Sequence, residues 1–178
     1  MFKKGIFVMI ILLTAGLSGC HNDHAVDAQI PDDFNFTLSF GINGMSNIDT
    51  YNGTFTKDLV SDGTETITFV IPAEKIQEIY NMFEKCKISK LPDDINAHAM
   101  ESIGENARSH TPADYYTLTY TKNHKTRTIT CNDGGPWDAR KGPPDAHKQL
   151  VQFINYVCEY IFSTNEYQQM SPAIGAYS

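Results

Sequence analysis

Residue types able to do chemistry are unevenly spread along this chain, and the densest group lies between Asn132 and Pro144. Asp133 and Asp138 supply carboxylates there, Arg140 and Lys141 supply cations, and Trp137 is the only tryptophan of the protein. An aromatic anchor ringed by charges has the composition of a recognition surface, so Asp133, Trp137, Asp138 and Arg140 form a candidate recognition loop. Trp137 has a second reading, in which its ring folds back over the end of the core and the charges face water. Two carboxylates also admit glycosidase-type acid and base chemistry, although a Gly-Gly-Pro run separates them and no neighbouring residue is placed to tune either one.

A second group, His98, Glu101, Glu105, His110 and Asp114, has the side chains that bind zinc. It lacks two histidines one helical turn apart, so no metal and no other cofactor is expected. Cysteines give a further constraint. Setting Cys20 aside, Cys86, Cys131 and Cys158 are an odd number and allow at most one internal disulfide. Cys131 and Cys158 are the best-placed pair, one ending a strand and the other on a helix expected above it. Cys86 with either of them is a further pairing, and the alternative to any disulfide is three buried free thiols. Cys131 with His147 as an activated thiol has no supporting motif, and the chain contains no phosphate loop, no Gly-x-Ser-x-Gly elbow and no His-Glu-x-x-His helix. The leading expectation is therefore a non-catalytic domain that binds an envelope protein or an extracellular ligand. The alternative is a small hydrolase-like enzyme using the 132–144 or the 98–114 loop.

Charge narrows the partners. The 178 residues carry a formal charge of −7, with 14 basic against 21 acidic side chains. No basic field is available for DNA or RNA, so nucleic acid is not an expected partner.

The elements that position these residues follow from periodicity. Phe34, Phe36, Leu38, Phe40 and Ile42 alternate with polar residues and predict a strand with one buried face. Asn43-Gly44 and Asp62-Gly63 predict hairpin turns, whereas Asn52-Gly53 fits either a turn or a bulge within a longer strand. Thr64 to Ile71 closes the meander. Pro72 opens a helix with Ile76, Ile79, Tyr80, Phe83 and Cys86 on its core side. Ser89 to Ala113 shows no sustained period and reads as a long loop. Tyr115 to Thr121 and Arg127 to Cys131 form a second hairpin, and Asp145 caps a last helix carrying Leu150, Ile154, Val157 and Ile161. The class is α+β: an antiparallel sheet, built from a meander and a second hairpin, with two main helices on one face.

The first residues address the chain to a membrane. Lys3 and Lys4 precede the apolar run Ile6 to Leu13, too short to span a bilayer, and Leu17-Ser18-Gly19-Cys20 resembles the lipobox of bacterial lipoproteins. The resemblance implies a signal peptide over 1–19 and a diacylglyceryl group on Cys20. That lipid would hold the protein on the cell membrane, facing outside the cytoplasm. Residues 20–33 are polar and read as a disordered tether, leaving 34–178 as one globular domain. Asp49 to Leu59, the helix from Pro72 to Leu91-Pro92, Tyr116-x-Leu118-x-Tyr120, Tyr167 to Pro172 and Gly175-Ala176-Tyr177 together resemble a family of uncharacterised Bacillus-type lipoproteins. The resemblance implies compartment and fold and brings no activity.

Overall fold

The computed structural model describes residues 28–103 and 107–177. Alternation in the first strand, β1 (Asn35–Phe40), buries Phe36, Leu38 and Phe40 and turns Asn35, Thr37 and Ser39 outward. β2 (Ser46–Asp49), β3 (Thr54–Asp58) and β4 (Thr64–Thr68) follow as a meander, and the hairpin β6 (Tyr115–Lys122) and β7 (Lys125–Asn132) completes a six-stranded antiparallel sheet in the order β4-β3-β2-β1-β6-β7. Each turn has a local cause. Asn43 and Gly44 both take positive φ, 58° and 65°, as a tight hairpin turn requires. Asn52-Gly53 is a turn and not a bulge: the Asp49 carboxylate accepts from the N–H groups of Tyr51 at 2.9 Å and Asn52 at 3.1 Å.

Helices α1 (Ala73–Lys85) and α3 (Asp145–Ser163) cover one face, as the α+β reading requires. Phe83 of α1 meets Tyr120 of β6 at 4.8 Å between ring centroids and Phe153 of α3 at 5.8 Å, and Phe153 meets Phe36 of β1 at 6.3 Å. Four elements thus share one aromatic core. Among the described residues no helix lies over the outer face of the sheet, which presents short polar side chains in register, among them Thr37, Thr119 and Thr128.

Three expectations need correction. The 89–113 stretch is not a plain loop, since it contains a 3-10 turn at Ile88–Lys90 and a helix, α2 (Ile95–Ile103), whose Ile95, Ala99 and Ile103 are buried. Asp145 does not cap α3. Pro144 holds the cap position, while Asp145 is the first helical residue and accepts from Lys148 Nζ at 3.0 Å. The polar segment before β1 is bound to the domain from Ala28 onward: Ala28 and Ile30 pack on the core, and Gln77 donates to Ala28 O at 2.9 Å. Asp33 accepts from the N–H groups of His124 at 2.6 Å and Asn123 at 3.0 Å, and these bonds hold its carboxyl below the usual carboxylate range. The signal peptide, Cys20 and the rest of the expected tether lie outside the described residues. Among the described residues no helix is long and apolar enough to cross a membrane.

Candidate functional site

The two long connections expected to carry function are sewn together. β5 (Ala107–Arg108) from the first pairs antiparallel with β8 (Trp137–Asp138) from the second, with Ala107 opposite Asp138 and Arg108 opposite Trp137. Gly134 and Gly135 permit the approach. A Cβ on Gly134 would stand 2.3 Å from His110 O, and one on Gly135 2.6 Å from Arg108 O, with Gly135 also at φ 103°. The Gly-Gly-Pro run is thus a close crossing of backbones and not a flexible spacer. Asn96 on α2 clamps the start of the loop, donating from Nδ2 to Asn132 O at 3.0 Å and Gly135 O at 2.7 Å while its Oδ1 accepts from Asn132 N–H at 2.6 Å.

α2 is itself positioned by Arg127 of β7. Its guanidinium donates to Ser89 O at 2.7 Å and Leu91 O at 2.9 Å and pairs with Asp93, so the chain turns into α2 beside the sheet edge. Asp94 then accepts from Ala97 N–H at 2.9 Å, capping the helix.

Within this frame the predicted recognition residues take distinct roles. Trp137 is 8% exposed, its Nε1–H donates to Asp133 O at 2.9 Å, and its ring lies 4.7 Å from that of His147. It is a core cover and not an exposed anchor, which corrects that reading: the β5–β8 pairing and the first turn of α3 enclose it. Asp133 Oδ1 is 2.5 Å from His147 Nε2. Asp138 accepts from Arg140 N–H at 2.8 Å and Lys141 N–H at 3.0 Å, which holds its carboxyl below the usual range. Arg140 is exposed.

His147, which the sequence singled out only as a remote partner for Cys131, is the one buried polar residue among those described, at 7% exposure. Its Nδ1 has no hydrogen-bond partner among the described residues. His147 also lines an open groove of about 530 Å³ with Pro143, Lys148, Val151, Tyr156 and Glu159. A second hollow of about 280 Å³, beyond Pro143 and Lys148, is walled by Ala99 and Ile103 of α2 and by Asp138, Lys141 and Asp145. Carboxylates therefore reach this region from the 132–144 side, whereas the 98–114 side contributes apolar walls.

The other chemical candidates are dispersed. His98 and Glu101 face each other at 3.8 Å on the exposed side of α2, His110 is exposed, and Asp114 accepts from Tyr116 Oη at 3.3 Å. Glu105 lies outside the described residues. Among the described residues no group of three His, Cys, Asp or Glu side chains converges on one point. Cys131 and Cys158 are not joined, and together with Cys86 they are buried free thiols. Burial pushes Cys131 and Cys158 up to about 12, the state of an inert core thiol and not of a nucleophile.

No family model, curated protein or solved structure matches the chain.

Proposed function

We propose that this chain is a lipid-anchored domain, facing outside the cytoplasm, that binds an envelope protein or an extracellular ligand without turning it over, through the groove beside His147. The anchor is supported by the basic start, the short apolar run and Leu17-Ser18-Gly19-Cys20. One observation carries the binding reading. A buried histidine is fixed through Nε2 by Asp133, has no partner for Nδ1 among the described residues, and lines an open groove of mixed apolar and charged walls. The groups that would otherwise suggest catalysis are already engaged: Asp133 serves His147, Asp138 serves two backbone N–H groups, and the Cys131 thiol is buried.

Two measurements test this. Cys20→Ser removes the thiol that would carry the lipid, and the variant moves from the membrane to the soluble fraction; unchanged detergent partitioning refutes the anchor. For the groove, a photo-crosslinking residue placed at Gln152 or Asn155, both exposed on its wall, gives a discrete adduct in intact cells that Lys148→Glu removes. The same adduct from a residue placed at Ser61, which does not line the groove, refutes that location.

A further inference from the structure

The two edges of the sheet are finished differently. Beside β7, Thr130 donates its N–H to Asp93 O at 2.8 Å and forms a parallel bridge with Asp94, so that edge is covered in part by its own chain. β4, at the other end, has no described strand beyond it.

Ladder parity tells which of its backbone groups face the open side. Phe69 N–H donates to Gly53 O at 2.7 Å, and Leu59 N–H donates to Gly63 O at 2.8 Å. Both are hydrogen-bonding positions of the β3–β4 ladder, whose register pairs Thr54 with Thr68, Thr56 with Thr66 and Asp58 with Thr64. Hydrogen-bonding and non-bonding pairs alternate in an antiparallel ladder. Glu65 and Ile67 therefore turn their N–H and C=O toward β3, while Thr64, Thr66 and Thr68 turn theirs outward. No described group bonds to these outward donors and acceptors. β4 reads Thr-Glu-Thr-Ile-Thr and contains none of the lysine, proline or bulge that guards an exposed edge. Its single charge, Glu65, is held by Ser171 N–H at 2.8 Å.

A groove of about 310 Å³ runs beside this edge. Ile67 and Met170 are its apolar walls, and among the described residues its charged walls are Glu65 and Glu166.

We propose that β4 is a docking edge that takes an extended, basic peptide segment of a partner protein as an added strand. Donors and acceptors repeating at every second residue are matched by an extended backbone, which a helix or a glycan does not supply. Two glutamates on a chain of net charge −7 select lysine or arginine in that segment. They also oppose a second copy of this chain, whose own Glu65 and Glu166 would be brought against them. Ile67 and Met170 receive an apolar side chain of the added strand. The site shares no residue with the His147 groove or with Cys20, so its test stands apart from theirs.

The probe is an end-capped heptapeptide alternating lysine with valine, added to the full-length chain in detergent. Expected are one peptide per chain, slowed amide exchange at Thr64, Thr66 and Thr68 with Glu65 and Ile67 unchanged, and loss of binding when glutamate replaces lysine. N-methylation of the peptide on the face toward β4 lowers affinity at least tenfold. Thr66→Pro abolishes binding and stays folded, because the Thr66 N–H makes no bond within the sheet. Should Thr66→Pro not fold, the N-methylated peptide decides on the unaltered chain. No binding at millimolar peptide, equal binding of the N-methylated form, or binding without protection of the three threonine amides overturns the proposal. So does a concentration-dependent dimer that protects those amides without peptide.

Discussion

The carboxylate of Asp133 and the imidazole of His147 meet at 2.5 Å, tying the end of β7 to the first turn of α3 across thirteen intervening residues of loop and helix start. That contact, with the Trp137 indole closed over it, fixes where the groove wall stands. Asp133→Ala takes from a buried imidazole the one hydrogen-bond partner it has among the described residues, which costs about 1–3 kcal/mol. A denaturant titration measures it, and an Asp133→Ala, His147→Ala cycle gives a coupling of about 0.5–3 kcal/mol. Additive effects would remove the contact from the account of the loop.

Trp137→Ala empties a core position and is expected to cost about 3–5 kcal/mol of stability. Since Trp137 is the only tryptophan and is buried, its emission reports this site alone, and a fluorescence titration with an aqueous quencher is expected to find it blue-shifted and resistant to quenching in the native protein.

Leu38 and Thr37 are neighbours in β1 on opposite faces. Leu38→Ala costs about 2–5 kcal/mol, and Phe83→Ala, from the aromatic junction of α1, costs about 3–5 kcal/mol. Thr37→Ala, on the open face, stays within about 0.5 kcal/mol. Urea midpoints for the three variants, fitted with a common slope, check the ordering.

Alkali should destabilise the fold. An unfolded cysteine ionises near 9.0, whereas burial delays Cys131 and Cys158 to about 12 in the folded protein. Between those values the unfolded chain has released protons that the folded chain still holds. The stability they contribute is therefore fully present below pH 9.0 and is lost as pH rises toward 12. Burial also raises Tyr116, with the same sign. Thermal midpoints are expected to fall above pH 9.0 and to fall less steeply in a Cys131→Ala, Cys158→Ala variant. At neutral pH the native thiols should resist alkylation and become reactive on unfolding.

The sheet was legible because β1, β6 and the helix stripes repeat large apolar residues at periods of two and near four, and burial enforces both. α2 was not, because its core side is made of Ile95, Ala99 and Ile103. One of the three is an alanine that weighs little in any periodicity, although Asp94 as cap and the four-residue spacing were there to be read. The site residues were legible by type but not by role. Composition places Trp137 among charges, but the pairing of Arg108 with Trp137, which closes over the ring, joins residues far apart in sequence. His147 had no local signal, being one more histidine near a helix start. The free backbone of β4 is likewise invisible in composition, since it depends on which register β3 adopts.

The sheet has one dry face and one wet face, and this divides its positions into two classes of mutational freedom. On the wet side, Thr37, Thr119 and Thr128 stand in one row across three strands, Thr119 and Thr128 sharing a hydroxyl bond at 2.8 Å. A library randomising that row to any strand-compatible residue should yield mostly folded proteins. A single-residue deletion inside β1 has no such latitude. It would turn threonine and serine toward Phe83 and Phe153 and expose phenylalanine to water, against β2 and β6 at once. Drift in this protein is therefore expected to accumulate as substitutions at alternate strand positions, with changes of length confined to the turns.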